Sequence, residues 1–209
     1  ASLVFYSIGR TRRALQGVLY FPELRLGRGL AWGVLAGGLA FVTAGCAGLL
    51  GFDASYQPTP DPVVEAMLRL AAVGEHDVVY DLGSGDGRIV ITAARDFGAR
   101  GVGIEIDPRL VAESVRWAQR AGVAERVRFV QQDFFQTDLS PATVVTLYLS
   151  QGLNARLRPK LLRELRAGTR IVSHRFDMGD WPPEQQIRID VSGAEHTIYV
   201  WTVPVRPPA

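Results

Sequence analysis

The chain has 209 residues, of which 47% are hydrophobic and 21% charged, with one cysteine and a formal net charge of +2. That length allows one domain of ordinary size plus an appendage, and the composition is that of a globular protein without repeats or low-complexity tracts. Cys46, the single cysteine, excludes an intrachain disulfide framework and a cysteine-rich zinc site, and no metal centre is expected. Charge is uneven: residues 1–28 hold Arg10, Arg12, Arg13, Arg25 and Arg28 against Glu23, a balance of +4, which leaves −2 on the remainder. A slightly acidic body whose only lysine is Lys160 is poorly suited to gripping a phosphate backbone, so nucleic acid is not expected as a partner.

After the basic segment 1–28, residues 29–52 carry no charge. As a helix they would span about 36 Å, enough for the roughly 30 Å hydrocarbon core of a bilayer. Gly29, Gly33 and Gly37 recur at four-residue spacing, which favours close helix pairing in a membrane, and seven glycines make a poor helix for a soluble core. The segment therefore reads as a membrane anchor, with a cleaved export signal as the alternative. Thr43-Ala44-Gly45-Cys46 loosely resembles a lipoprotein cleavage site, and Thr11-Arg12-Arg13 resembles a twin-arginine signal set too far upstream of the apolar run. Arginines ahead of the segment favour a domain on the far side of the membrane.

Residues 53–62 hold three prolines and read as a linker, after which residues 63–209 form the domain. Asp61 is expected to cap a helix with Pro62 at its first position and Val63, Val64, Met67, Leu68 and Ala71 on its buried face. Strands are then expected at 78–82, 101–106, 127–131, 144–149 and 169–173. Helices are expected at 88–97, at 108–121 with Leu110, Val111, Val115 and Ala118 facing inward, and at 154–166 with Gly168 as C-cap. This alternation requires a parallel sheet with helices on both faces. Two closing strands, 187–191 and 197–203 around Ser192-Gly193, read as an antiparallel hairpin. The fold class is thus α/β, with a seven-stranded Rossmann-like sheet, mostly parallel and with an antiparallel last strand, behind an N-terminal hydrophobic helix.

The segment 78–88 carries the chemistry. Gly83, Gly85 and Gly87 follow a strand and open a helix, so the backbone turns tightly and passes close to a ligand. A dinucleotide fingerprint would need a glycine where Arg88 stands, and Asp81 beside the turn disfavours a phosphate. Both features suit S-adenosyl-L-methionine (SAM), which has a carboxylate for the helix N-terminus near Ser84 and Gly87 and an ammonium for Asp81. Glu105, with Ile106 after it, ends the second strand where both ribose hydroxyls can be accepted. Asp133 and Phe134 follow the third strand, where a carboxylate can accept from the adenine amino group and an apolar wall can lie against the ring. Asp81→Ala and Glu105→Ala are expected to weaken cofactor affinity and leave the fold intact.

Three acids at three successive strand ends behind a GxGxG turn resemble the class I SAM-dependent methyltransferases, over residues 56–203. Tyr56 with Pro58-Thr59-Pro60, the run DLGSGDGRIVI, and Arg175-Phe176 followed by Trp181 and Pro183 resemble, more narrowly, the lysine N-methyltransferases of the ATP synthase c subunit and their bacterial relatives. The resemblance implies a lysine acceptor on a membrane-associated protein. SAM is made in the cytosol, which argues for a domain on the cytoplasmic side. That opposes the direction given by the arginines.

The acceptor pocket is expected beyond the fourth strand, where Tyr148, Ser150, Gln151 and Asn154 cluster. Tyr148 is a candidate to orient an amine, and Gln151, Asn154 and His174 are candidate catalytic groups. Tyr56, Pro58, Thr59, Pro60, Arg175 and Trp181 are candidate substrate contacts, with 58–60 as a lid. Leu147-Tyr148-Leu149-Ser150 replaces the Asn/Asp-Pro-Pro-Tyr/Phe of many base and glutamine methyltransferases, which leaves lysine or a small molecule open. Two rival readings remain: a methyltransferase for a lipophilic small molecule, and a non-catalytic exported SAM-fold binding protein.

Overall fold

Hydrophobic periodicity switches between two and 3.6 residues along the chain, and the backbone follows it. The computed structural model describes residues 57–205. In order these are α1 (Asp61–Leu70), β1 (Val78–Leu82), α2 (Arg88–Phe97), β2 (Arg100–Glu105), α3 (Pro108–Arg120), β3 (Val127–Gln131), β4 (Val144–Leu147), α4 (Gln151–Glu164), β5 (Arg170–His174), β6 (Gln185–Val191) and β7 (Ala194–Thr202). The strands form one sheet in the order β3-β2-β1-β4-β5-β7-β6. Pairing is parallel from β3 through β5, and β7 runs antiparallel to both of its neighbours. The seven strands and their directions are those expected; the hydrophobic segment 29–52 lies outside the described residues.

Central strands of such a sheet are buried on both faces, which is why β1, β4 and β5 read as nearly continuous apolar runs. On one face α1 and α2 pack Val63, Met67, Leu68, Val90 and Ala93 against Val79, Val144 and Val172. On the other, Leu157, Leu161 and Leu165 of α4 and its C-cap join Leu82, Leu147 and Trp201.

Local expectations shift in several places. α1 starts one residue early, because the Pro60 carbonyl accepts from Val63 N and Val64 N at 2.9 and 3.0 Å; Asp61 lies in the first turn and is not the cap. α4 starts at Gln151, three residues early, where the Ser150 hydroxyl accepts from Leu153 N at 3.3 Å. It ends at Glu164, and Gly168 instead turns the chain into β5 with φ +85°. In α3 the inward face is rotated: Ser114 is fully buried while Val115 is 41% exposed. The reason is proximity, since a Cβ on Gly87 would lie 2.9 Å from Ser114 Cβ, so α3 can press on the glycine turn only through a small residue.

Among the described residues no helix joins β3 to β4 and none follows β5. Residues 132–143 carry the chain from the β3 edge back to β4 beside β1, burying Leu139 and Ala142 on the α4 side. The strand order therefore reverses between β1 and β4. A crevice opens at the C-terminal ends of strands at such a point.

Candidate active site

At the end of β1 the chain turns sharply. Gly83 N and Ser84 N both donate to the Ile104 carbonyl at 2.9 Å, and Gly87 N donates to Ser84 O at 2.8 Å. Gly87 has φ +78°, and a Cβ there would lie 2.4 Å from Phe129 Cε1, so neither conformation nor space admits a side chain. Gly103 on β2 is constrained by space alone: its Cβ would lie 2.6 Å from Phe129 Cδ1 and 2.7 Å from Ser84 Oγ. Ser114 Oγ braces the loop from α3, donating to Gly85 O at 3.0 Å.

Three carboxylates surround this turn, all of them buried. Asp81 accepts from Thr146 Oγ1 at 2.7 Å. Burial pushes the Asp81 carboxyl up to about 7; the Thr146 bond opposes the rise, and the nearby Asp86 and Glu105 add to it. Glu105 is committed largely to the backbone. Its Oε1 accepts from Ile106 N at 2.8 Å and Asp107 N at 3.0 Å, and its Oε2 accepts from Gly85 N at 2.9 Å. A carboxylate has about four acceptor sites, so little of this one is left for two ribose hydroxyls in this arrangement. Asp86 receives the Arg88 guanidinium from Nε and NH2, at 3.0 and 2.6 Å.

These groups line a cavity of about 280 Å³. Its floor is the glycine turn with Asp81 and Glu105, and one side is apolar, with Ile106, Leu110, Phe134 and Leu149. Asp133 faces it and accepts from Phe135 N at 2.8 Å. Gln57, Pro58 and Thr59 form the wall opposite, held from two directions. Arg88 NH1 donates to the Thr59 carbonyl at 3.0 Å, and Tyr148 OH donates to Gln57 Oε1 at 3.4 Å. The segment is thus a strap between the glycine turn and the end of β4.

Of the residues singled out from sequence, Asp81, Gly83, Ser84, Gly85, Arg88, Glu105, Ile106, Asp133, Phe134, Pro58, Thr59 and Tyr148 line the cavity. Gly87 lies behind the turn, and Pro60 caps α1. Asn154, fully buried, donates to Ser173 Oγ and to the Phe176 and Asp177 carbonyls, at 3.0–3.2 Å, and so ties down the loop after β5. Gln151 is exposed and bonded to Asp177. His174 sits one layer behind the wall, against the Tyr148 ring at 4.1 Å between centroids. Arg175 is exposed, with φ +72°. Trp181 covers the sheet against Trp201, whose Nε1 donates to the Trp181 carbonyl at 2.9 Å. Tyr56 lies outside the described residues.

Sequence reasoning missed Thr146, Asp86, Leu110 and Arg156. Leu110 was legible as the first inward residue of the helix after Glu105. Arg156 had no signal; it reaches the cavity by lying over the Phe135 ring at 4.2 Å, a contact between residues far apart in the chain.

Residues 81–185 match the family described as the ANTKMT methyltransferase domain. The chain is 44% identical over 149 residues to a protein-lysine N-methyltransferase of Saccharolobus islandicus, covering 71% of this chain and 92% of that one. It is 36% identical to the adenine nucleotide translocase lysine N-methyltransferase of Mus musculus, over 68% of this chain and 66% of that protein. Among solved structures, an RNA methyltransferase from Salinibacter ruber in complex with S-adenosyl-L-homocysteine superposes with a TM-score of 0.68 at 57% identity. It covers 73% of this chain and 97% of that one.

Proposed function

This chain belongs to the ANTKMT methyltransferase family and is a SAM-dependent methyltransferase, and we propose that it methylates lysine side chains of a membrane-associated protein. The observation that carries the reading is the strapped cavity, lined by Asp81, Glu105 and Asp133 together with Tyr148.

The residues present fit SAM. Gly83, with φ +79°, and Gly85 line the floor without side chains, so the backbone of the turn and the N-terminus of α2 behind it can approach a ligand carboxylate. Asp81 supplies charge for the ammonium, Asp133 and Phe134 suit adenine, and the remaining acceptor site of Glu105 serves one ribose hydroxyl. When bound, the cofactor supplies a methyl group already activated on a sulfonium. What is left to the protein is to hold a neutral amine in line with that methyl and to exclude water.

Deprotonating a lysine of pKa about 10.4 at pH 7 costs roughly 4.6 kcal/mol. Tyr148 would orient the amine, and the apolar Pro58 and Leu149 line the same cavity, where burial favours the uncharged form. The strap over the cavity supports the lid expected from sequence.

The label on the Salinibacter structure favours RNA as the second reading. Against it stands the charge: residues outside the basic N-terminal segment total −2. The names of the S. islandicus and mouse relatives support a protein lysine instead. An anchor at 29–52, with the domain on the cytoplasmic face, would bring the cavity to such a substrate. Among the described residues no helix is long and apolar enough to cross a membrane, and residues 29–52 lie outside them.

The test incubates the full chain with methyl-labelled SAM and, separately, a detergent-solubilised membrane protein fraction, total RNA and a lipid extract. Methyl-lysine in the hydrolysed protein fraction is the expected product. Label in RNA or lipid alone would replace the lysine reading with the corresponding alternative.

A further inference from the structure

The acceptor amine must lose a proton before it can attack, and one line of groups leads away from the cavity wall. Thr59 Oγ1, in the cavity wall, lies 3.4 Å from His174 Nδ1. His174 is fully buried at the end of β5, and its Nε2 lies 2.9 Å from Nδ1 of His196 on β7. His196 is half-buried and reaches solvent. The backbone holds the line in register: Arg175 N donates to Thr197 O at 2.7 Å, and His174 pairs with Ile198. The Tyr148 ring packs on His174 from the cavity side.

We propose that Thr59, His174 and His196 form a proton relay that carries the acceptor amine's proton from the cavity wall to solvent. This rests on the lysine reading above. As the amine gives its proton to Thr59 Oγ1, the hydroxyl proton passes to His174 Nδ1. The Nε2 proton of His174 passes to His196 Nδ1, and the Nε2 proton of His196 leaves to water or buffer. One N–H bond is broken at the amine, which keeps its lone pair for the methyl group, and one proton appears in solvent. The tautomers required are those in which each ring donates outward. Long apo distances such as that of Thr59 tighten when substrate binds.

Burial, His196 and Arg175 push the His174 imidazolium down to about 4, so at neutral pH its Nδ1 is open to accept. The titratable and charged groups facing the ring are His196 from β7, Arg175 next in the chain and Tyr148 from the end of β4. The strap contributes the Thr59 hydroxyl. Thr59 is the member that touches substrate; His174 and His196 act through it.

The experiment measures single-turnover methylation by the full chain at pH 6 to 9, with methyl-labelled SAM and the solubilised membrane protein fraction, scored as methyl-lysine. Thr59→Val and His174→Gln should lose roughly 100-fold near pH 7 and hold SAM affinity within about twofold. The deficit should shrink as pH approaches the lysine pKa of about 10.4. Thr59→Ser should retain the rate. His196→Ala should be partly restored by added imidazole, which also covers the case in which His174→Gln does not fold. Losses equal at every pH, with raised KM and no imidazole effect, would reduce the cluster to a pin for the strap. Absence of methyl-lysine with the wild-type chain would sink the lysine reading itself, whatever the variants do.

Discussion

Thr146 and Asp81 stand side by side on β4 and β1, and the Thr146 hydroxyl donates a 2.7 Å bond to the Asp81 carboxylate in a fully covered position. The pair sets how much of Asp81 is charged. Burial and two neighbouring acids hold the carboxyl near 7, and the hydroxyl is the group that pulls it down.

Cofactor affinity should therefore depend on pH around neutrality. If the ionised Asp81 binds the ammonium, apparent SAM affinity falls roughly tenfold from pH 8 to pH 6, and binding near pH 7 releases a proton. Calorimetry in buffers of different ionisation enthalpy reads both. Thr146→Val should raise the Asp81 pKa further, weaken binding at pH 7 and regain most of it at pH 9. A flat pH profile in wild type and variant would exclude Asp81 as the ammonium partner.

The same acid bears on folding. Its folded pKa lies above the unfolded value of 3.8, so its stabilising contribution is complete below that value and is lost as pH rises through about 7. At pH 8 the ligand-free protein carries a buried charge. Asp81→Asn should then stabilise it by up to about 4 kcal/mol in denaturant unfolding while abolishing SAM binding. Equal stability of the two proteins at pH 8 would mean that the site is wetter than its burial implies.

Glu105→Ala should cost stability as well as cofactor affinity. It removes the acceptor of three backbone N–H groups, one of them on the glycine turn. We expect a loss of about 1–3 kcal/mol in stability together with weaker SAM binding. Glu105→Gln, which keeps one acceptor oxygen, should fall between. Thermal unfolding with and without SAM separates the two effects.

Gly103→Ala should cost about 1–3 kcal/mol through overpacking against Phe129, and should press on Ser84 Oγ beneath the glycine turn. Adding Phe129→Leu makes room on one side only. Stability should recover in the double variant while SAM affinity stays reduced; recovery of both would mean that a shift of the turn at Ser84 does not reach the cofactor.

Arg88→Ala should release the strap from the glycine turn, since Arg88 links Asp86 to the Thr59 carbonyl. Faster hydrogen exchange at residues 57–60 and an acceptor KM raised roughly tenfold are expected, with SAM affinity changed less. Unchanged exchange there would show that the Tyr148 and His174 contacts hold the strap alone.

Which residues meet was less legible than which elements form. The Asp81 and Glu105 positions follow from strand ends beside a glycine turn, a pattern local enough to read directly. Asn154 was misjudged as catalytic because its position after β4 says nothing of direction; its amide points into the β5 loop and not into the cavity. Val115 was misjudged as core because periodicity cannot see how near α3 comes to Gly87.

By itself the sequence determined the seven strands, the hairpin that reverses the last one, the glycine turn and the chemistry of the cofactor end. Each depends on a backbone preference or a spacing within a few residues. Only the tertiary structure decided that Thr146 tunes Asp81, that Glu105 braces Gly85, that Arg156 lies on Phe135, and that the strap meets the buried His174 and, through it, His196. Those contacts join residues 20 to 115 positions apart where they are hydrogen bonds. Sheet order and packing set such distances, and no local pattern encodes them.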